Sequence, residues 1–361
     1  MTRIVTVYSG SLRPAREVEM GFIRWYRMSE ALAALGHQVD IASAELGRRL
    51  FRTVEMVAPN LRIVPLSGVR WRDYDVVKTL FHSGFETLER HRGADHPFII
   101  AKLGSVVGPT EMEGVFFHGQ QREEMFRTQE RIARANRYVT LLSQPAVDLW
   151  RSVHGADQSI LVVPGAASAK IPPPRRSPYA RDGRSPVIFA GNFYSRHRNS
   201  QPEAHRTLSD KLNRLGALVH ERGARLYVVG TGDPRSLDAR YVTYCGAVPY
   251  EDSWDYIHFA AVGIVLTAGG RMHNNESTKL YHYLRAGLPV VSEAGFPNDN
   301  VVIESRLGHI VENGALAMMA DRIEESLRTA WDRERAIRYI LDRHTWEKRA
   351  EIYDRVLRGV S

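Results

Sequence analysis

The run from Ala268 to Gly287, AGGRMHNNESTKLYHYLRAG, holds the densest set of side chains able to do chemistry. An apolar stretch precedes it, a glycine-rich polar loop opens it, and a helix expected over 275–286 closes it, with Gly287 at its end. Asn275 or Ser277 as N-cap leaves unpaired N–H groups in the first turn. Together with the positive end of the helix dipole these make an anion site. Lys279 lies near that turn, and His282 stands one i,i+3 step further along the same face. N–H groups beside a lysine suit a diphosphate, and a neighbouring histidine suits a ribose hydroxyl. The same residues read equally well as a surface helix with a solvated lysine and a half-buried histidine.

The elements that must position this run alternate along the chain. Residues 3–8 form a β-rich strand, 21–35 carries Trp25, Met28, Leu32 and Leu35 at helical spacing, and 39–42 is a strand again. Further strands are expected at 61–66, 75–80, 98–101, 138–142 and 160–163, with helices at 121–135 and 144–153. Pro172, Pro173 and Pro174 cannot sit inside a helix or a sheet ladder, so they mark a boundary. Beyond it, strands at 187–190, 226–229, 242–244, 262–266, 288–291 and 308–311 alternate with helices at 203–221, 253–259, 275–286, 321–340 and 345–358. This is the rhythm of parallel α/β sheets. The expected organisation is a first unit over 1–170, a Pro/Arg-rich linker over 171–185, a second unit over 186–344, and a C-terminal helix over 345–361 placed to pack back on the first unit. Ligands of such sheets bind beyond the carboxyl ends of the strands, which here means the cleft between the units.

A length of 361 residues suits two domains, and 43% apolar with 25% charged residues is ordinary globular composition. Cys245 is the sole cysteine, which rules out an internal disulfide and any cysteine-built zinc or iron–sulfur site within one chain. No run of apolar residues is long enough to span a bilayer, and the N-terminus reads as a strand rather than a signal peptide. A cytoplasmic protein is expected, with peripheral contact at the inner membrane surface also compatible. Lys and Arg number 49 against 41 Asp and Glu, a net charge of +8. The arginines are scattered, with no lysine tail and no zinc-finger or RNA-recognition signature, so nucleic acid is not an expected partner. The histidines show no metal-ligand spacing, and no metal is expected.

The stretch Lys279-Leu-Tyr-His-Tyr-Leu-Arg-Ala-Gly-Leu-Pro-Val-Val291 resembles the nucleotide-sugar-binding signature of the GT-B glycosyltransferases, in particular the family-4 group. Other stretches are similar in the same order. Gly21 with MSEALAALGHQV over 28–39 resembles their first helix and second strand, and 135–143 the strand ending in Ser before the linker helix. ILVVPGA over 160–166 resembles the exit from the first domain, Phe189-Ala190-Gly191 the opening strand of the second, and Thr345-Trp346-Glu347 the start of the last helix. The likeness spans nearly the whole chain. It implies an α/β GT-B fold, two Rossmann-like domains facing each other across a cleft. It also implies transfer of a hexose from a nucleoside diphosphate sugar, UDP or GDP in preference, to a hydroxyl acceptor with retention. No cofactor follows from it, since the sugar nucleotide is a substrate and metal is not required. The first turn of the helix at 276–286 would hold the pyrophosphate on the N–H groups of Ser277 and Thr278, with Lys279 against the phosphates and Gly21 approaching from the first helix. Arg196, with Arg198 second, would neutralise the leaving group. The base would lie near Gly230 and Val248, held by backbone contacts, with His282 at the ribose.

The chain also departs from that pattern. Where the family has two glutamates eight residues apart, Asn274 and His282 stand here. A neutral imidazole accepts one hydrogen bond, and less strongly than a carboxylate. Glu276 is placed to compensate. The family's histidine after the fourth or fifth strand has no counterpart behind 98–101, where the polar residues are Lys102, Ser105, Glu111, Glu113 and His118. His118 is the candidate base for an inverting route, whereas front-face retention uses the donor phosphate as base. Arg13, Arg16, Arg24 and Arg27 put positive charge near the cleft mouth. That charge suits an anionic or lipid-linked acceptor or a membrane surface, and equally a set of solvated arginines. Two alternatives stay open: a sugar-nucleotide epimerase on the same fold, and a non-catalytic sugar- or nucleotide-binding protein in which Asn274 and His282 record a lost site.

Overall fold

A computed structural model describes residues 1–7, 20–43, 54–91, 98–108, 119–135, 138–155, 157–194, 202–269 and 275–359. The first half contributes β1 (Arg3–Val7), α1 (Met20–Ala34), β2 (Gln38–Ser43), β3 (Glu55–Ala58), β4 (Leu61–Pro65), β5 (Val76–Leu80), α2 (Phe81–His91), β6 (Phe98–Lys102), α3 (Gly119–Ala135), β7 (Tyr138–Leu141), α4 (Gln144–His154) and β8 (Ser159–Val162). Its sheet runs β3-β4-β2-β1-β5-β6-β7-β8, parallel throughout except for the β3–β4 pair. Strands such as β5, buried along their whole length, read in sequence as continuous runs because both faces of a parallel sheet are covered.

The second half contributes β9 (Ser185–Ala190), α5 (Pro202–Glu221), β10 (Ala224–Val229), β11 (Val242–Gly246), α6 (Tyr250–Phe259), β12 (Val262–Val265), α7 (Thr278–Arg285), β13 (Val290–Glu293), α8 (Asn300–Ser305), β14 (Gly308–Val311), α9 (Leu316–Arg328), α10 (Arg333–Arg343) and α11 (Trp346–Leu357). Its parallel sheet runs β11-β10-β9-β12-β13-β14, growing outwards from β9 in both directions. The helix expected over 321–340 is two helices. Thr329 is extended at the end of α9, and Asp332 caps α10 by accepting from the Arg335 N–H at 3.0 Å. The hairpin strand β3 and the helices α2 and α8 had no counterpart in the sequence reading.

The two halves share one apolar core. It includes Trp25, Met28 and Leu32 of α1, Leu280 and Leu284 of α7, and Trp346, Ala350, Tyr353 and Leu357 of α11. Helix α11 follows the second half but packs on α1, and His37 just beyond α1 holds Asp354 of α11 at 3.0 Å. The chain therefore crosses between the halves twice, and the two crossings run side by side. The Ala167 N–H donates to the His344 carbonyl at 3.0 Å, and the Trp346 N–H donates to the Ala167 carbonyl at 3.2 Å. Trp25 is buried, with Nε1 donating to Thr6 Oγ1 at 2.9 Å, which accounts for its helical spacing as core.

Candidate active site

In the second sheet the chain leaves β9 towards β10 on one side and β12 towards β13 on the other, so a crevice opens at the carboxyl ends of β9 and β12. Gly191 follows β9, and Gly230 follows β10. A Cβ on Gly191 would stand 2.3 Å from Cε and 2.8 Å from Nζ of Lys279, so this side chain lies flat along bare backbone. Its ammonium sits 4.9 Å from the centre of the Phe189 ring. Gly230, at φ +144°, comes so close that a Cβ there would be 2.2 Å from the Gly191 carbonyl oxygen. Burial pulls the Lys279 pKa down to about 8, which leaves the ammonium mostly protonated at neutral pH.

Helix α7 begins over this crevice. Ser277 is its N-cap residue, yet its side chain makes no capping bond, and its buried Oγ has no partner among the described residues. The Asn298 amide takes both backbone groups of Ser277, accepting from its N–H at 3.0 Å and donating to its carbonyl at 2.9 Å. The unspent first-turn donors are therefore the N–H groups of Thr278 and Lys279, for which no acceptor stands among the described residues. Arg24 crosses from α1, and its Nη2 donates to Thr278 Oγ1 at 2.5 Å, while its buried Nε has no partner among the described residues. Burial lowers the Arg24 pKa against the pull of Glu276, and a guanidinium keeps its charge through such a shift. Two cations thus flank the positive end of the helix dipole.

Glu276 joins the halves. Its Oε2 accepts from the Gly165 N–H at 2.5 Å, and its Oε1 accepts from the Tyr281 hydroxyl at 3.0 Å. Burial raises its pKa, opposed by the Gly165 N–H and by Arg24. Nearby, Ser105 Oγ donates to Asn275 Oδ1 at 2.6 Å across the same seam. His282 is buried. Its Nδ1 donates to the Thr278 carbonyl at 2.9 Å, and its Nε2 lies 3.0 Å from the Tyr250 hydroxyl. Burial pushes its pKa down to about 4, so the ring is neutral and both nitrogens are engaged, leaving neither for a ribose hydroxyl in this arrangement. Gly230 also spends its backbone internally, donating to the Gly246 carbonyl at 2.9 Å and accepting from the Tyr244 hydroxyl at 2.9 Å. Val248 is half-buried against the shared core, and Gly21 lies in the first turn of α1.

Structure thus brings Glu276, Ser277, Thr278, Lys279, His282 and Gly230 to one end of the second sheet. Arg196, His118, Arg198, Asn274, Arg13, Arg16, Glu111 and Glu113 lie outside the described residues. Arg24, expected at the cleft mouth, reaches Thr278 at the start of α7. Lys78 and Arg349, both buried, went unremarked in the sequence. A lysine at the centre of the short β-rich run VVKTL was a signal for the first; nothing local marked the second. Among the described residues no group of three His, Cys, Asp or Glu side chains gathers to hold a metal.

No protein-family model matches the sequence, and no curated protein matches it. Solved structures do. A sucrose-phosphate synthase from Thermosynechococcus elongatus is similar over 100% of this chain and 99% of its own, at TM-score 0.75 and 16% identity. WaaG, a glycosyltransferase involved in lipopolysaccharide biosynthesis, is similar over 99% of this chain and 100% of its own, at TM-score 0.62 and 14% identity. A UDP-forming α,α-trehalose-phosphate synthase from Burkholderia xenovorans, solved with glucose 6-phosphate, covers 100% of both chains at TM-score 0.67 and 9% identity. At such identities the likeness speaks for architecture, and with the two sheets above it gives one conclusion: this chain has the GT-B fold, two Rossmann-like domains facing each other across a cleft.

Proposed function

We propose that the protein is a glycosyltransferase that moves a hexosyl group from a nucleoside diphosphate sugar, UDP or GDP in preference, to a hydroxyl acceptor with retention. The observation that carries this reading is the first turn of α7, which brings together the unspent N–H groups of Thr278 and Lys279, the Lys279 side chain and the Arg24 guanidinium bonded to Thr278. A diphosphate satisfies all four. The names of the similar structures, a UDP-forming synthase among them, support a sugar nucleotide as donor.

In the reaction the bond from the anomeric carbon to the diphosphate oxygen breaks while the acceptor oxygen bonds to that carbon from the same face. The acceptor proton passes to the departing phosphate. Negative charge grows on the leaving group, and Lys279, Arg24 and the helix end stabilise it as it grows. On this route no protein base is needed, which leaves His118 and Arg196 in supporting roles at the acceptor and the leaving group. Glu276 holds the two walls together rather than touching the sugar. No helix among the described residues is long and apolar enough to cross a membrane, and we place the reaction in the cytoplasm, with docking at the inner membrane surface if the acceptor is a lipid.

Calorimetric titration of UDP, GDP, ADP and dTDP tests the donor assignment. One nucleotide should bind selectively, and Lys279→Ala should weaken it roughly 10- to 150-fold, the worth of one charge-assisted hydrogen bond. Failure of all four to bind the folded wild-type protein overturns it.

A further inference from the structure

Arg349 lies on α11, the helix that returns to the first domain, and is 6% exposed. Its fork is spent on three neutral acceptors. Nε donates to the Gly165 carbonyl at 3.1 Å, Nη1 to the Arg343 carbonyl at 2.9 Å, and Nη2 to His344 Nδ1 at 2.7 Å. His344 is set to accept, because burial and the Arg349 charge lower its pKa to about 4, and its Nε2 donates to the Tyr339 hydroxyl at 3.0 Å. That hydroxyl donates in turn to Glu304 Oε2 at 2.9 Å. A buried guanidinium answered by neutral groups is costly, and packing alone would be served by an apolar side chain.

Both anchors of Glu276 rest on this arginine. The first is Gly165, whose carbonyl accepts from Arg349 while its N–H donates to Glu276 Oε2 at 2.5 Å. The second is Tyr281, whose hydroxyl donates to Glu276 Oε1 at 3.0 Å. Its ring centre lies 6.0 Å from the Arg349 guanidinium carbon and 5.4 Å from the His344 ring centre. Little slack separates the two anchors: a Cβ on Gly165 would stand 3.0 Å from Tyr281 Cε2 and 3.3 Å from Glu276 Oε2. Ser277, Thr278 and Lys279 follow Glu276 directly, so the place where its carboxylate is held decides where the first turn of α7 begins.

We infer that Arg349 is a positioning residue: from the terminal helix, through Gly165 and Tyr281, it holds Glu276 and with it the first turn of α7. Seating of α11 and occupation of that turn are thereby linked. Such linkage is reciprocal, so a ligand that orders the turn also tightens α11. Calling that ligand a nucleotide rests on the glycosyltransferase reading; the relay from Arg349 to α7 does not.

The test follows hydrogen exchange by mass spectrometry on the full chain, ligand-free and with UDP or GDP, beside calorimetric titration of both nucleotides. Arg349→Lys keeps the charge but loses the planar fork that serves three acceptors at once. Without ligand it should speed exchange over 277–285 by roughly three- to thirtyfold, the reach of residues that act through others. Asp354→Asn, which alters the contact of the same helix with His37, should hold that stretch within twofold of wild type. Nucleotide affinity should fall by roughly three- to thirtyfold in Arg349→Lys and stay within about twofold in Asp354→Asn. A double variant with Glu276→Gln should bind no more weakly than the weaker single variant, since both changes act on one link. In wild type, bound nucleotide should slow exchange over 346–357. If Arg349→Lys does not fold, Gly165→Ala presses on Tyr281 and Glu276 with Arg349 still in place, and should give the same response over 277–285. If that stretch responds as expected while neither nucleotide binds, the relay stands and the donor assignment falls. Unchanged exchange over 277–285 in folded Arg349→Lys, equal acceleration in Asp354→Asn, or wild-type nucleotide affinity in Arg349→Lys overturns the inference.

Discussion

Gly191→Ala separates the position of the Lys279 ammonium from the stability of the fold. The new Cβ would lie 2.3 Å from Lys279 Cε, roughly 1 Å short of the 3.4 Å at which ordinary contact begins. Its obstacle is the far end of a flexible side chain, which swings aside at little cost. The φ of Gly191 lies outside the left-handed region, so alanine fits the backbone and gains about 0.4–1 kcal/mol from a less mobile unfolded chain. The melting temperature should therefore stay within a few degrees of wild type. The ammonium, however, can no longer rest over Phe189 with its stem along the backbone. Since one charge-assisted contact to phosphate is worth about 1.5–3 kcal/mol, nucleotide affinity should fall by about tenfold or more. Calorimetry on wild type, Gly191→Ala, Lys279→Met and the double variant closes a thermodynamic cycle. The double variant should bind no more weakly than Lys279→Met alone, because both changes remove the same contact. Wild-type affinity in Gly191→Ala, or losses that simply add, would refute the placement of Lys279 as the phosphate ligand.

Two further outcomes follow from buried polar groups. His282 takes up its proton at about pH 4 in the folded chain against 6.5 unfolded, so between those values the unfolded chain binds more protons and stability falls as pH falls. Denaturation curves from pH 7 to 4.5 should show wild type losing on the order of 2–3 kcal/mol more than His282→Gln, and parallel losses would contradict a buried neutral ring. Lys211 Nζ reaches Glu293 at 2.8 Å, a carboxylate that is 0% exposed and also accepts from the Thr267 N–H at 2.7 Å. Lys211→Met should cost about 3–5 kcal/mol by leaving that charge unpaired, and adding Glu293→Gln should restore part of it; an unchanged denaturation midpoint would show the pair to be dispensable.

The α7 segment was legible because its signals are local. A glycine-rich loop, a capping residue, a lysine in the first turn and Gly287 at the far end all lie within twenty residues, and strand runs such as VIFA announce a parallel sheet by their unbroken apolarity. The occupants of the site's other side were not, because their meaning depends on partners far along the chain. Arg24 meets Thr278 from 254 residues away, and Glu276 meets Gly165 from 111. His282 looked like a ribose contact until Tyr250 and Trp254 of α6 closed over it at ring-centre distances of 5.9 and 5.2 Å. The division of 321–340 into α9 and α10 was missed for a different reason: both pieces keep helical spacing, and one aspartate cap decides where the second begins.

The double crossing beside Ala167 has a consequence for how the protein is made. Helix α1 belongs to the first sheet, yet part of its apolar surface is covered by α11, synthesised more than three hundred residues later. Domains generally fold as units, in order of emergence from the ribosome. Here the first domain emerges with one flank of α1 unclothed and with His37 lacking Asp354. It completes its core once residues 346–357 arrive, after the second domain is already in place. Vectorial folding is thereby replaced by a clasp: the last helix acts as the fastener that commits both domains together, and a nascent chain stalled before it exposes the surface that chaperones read.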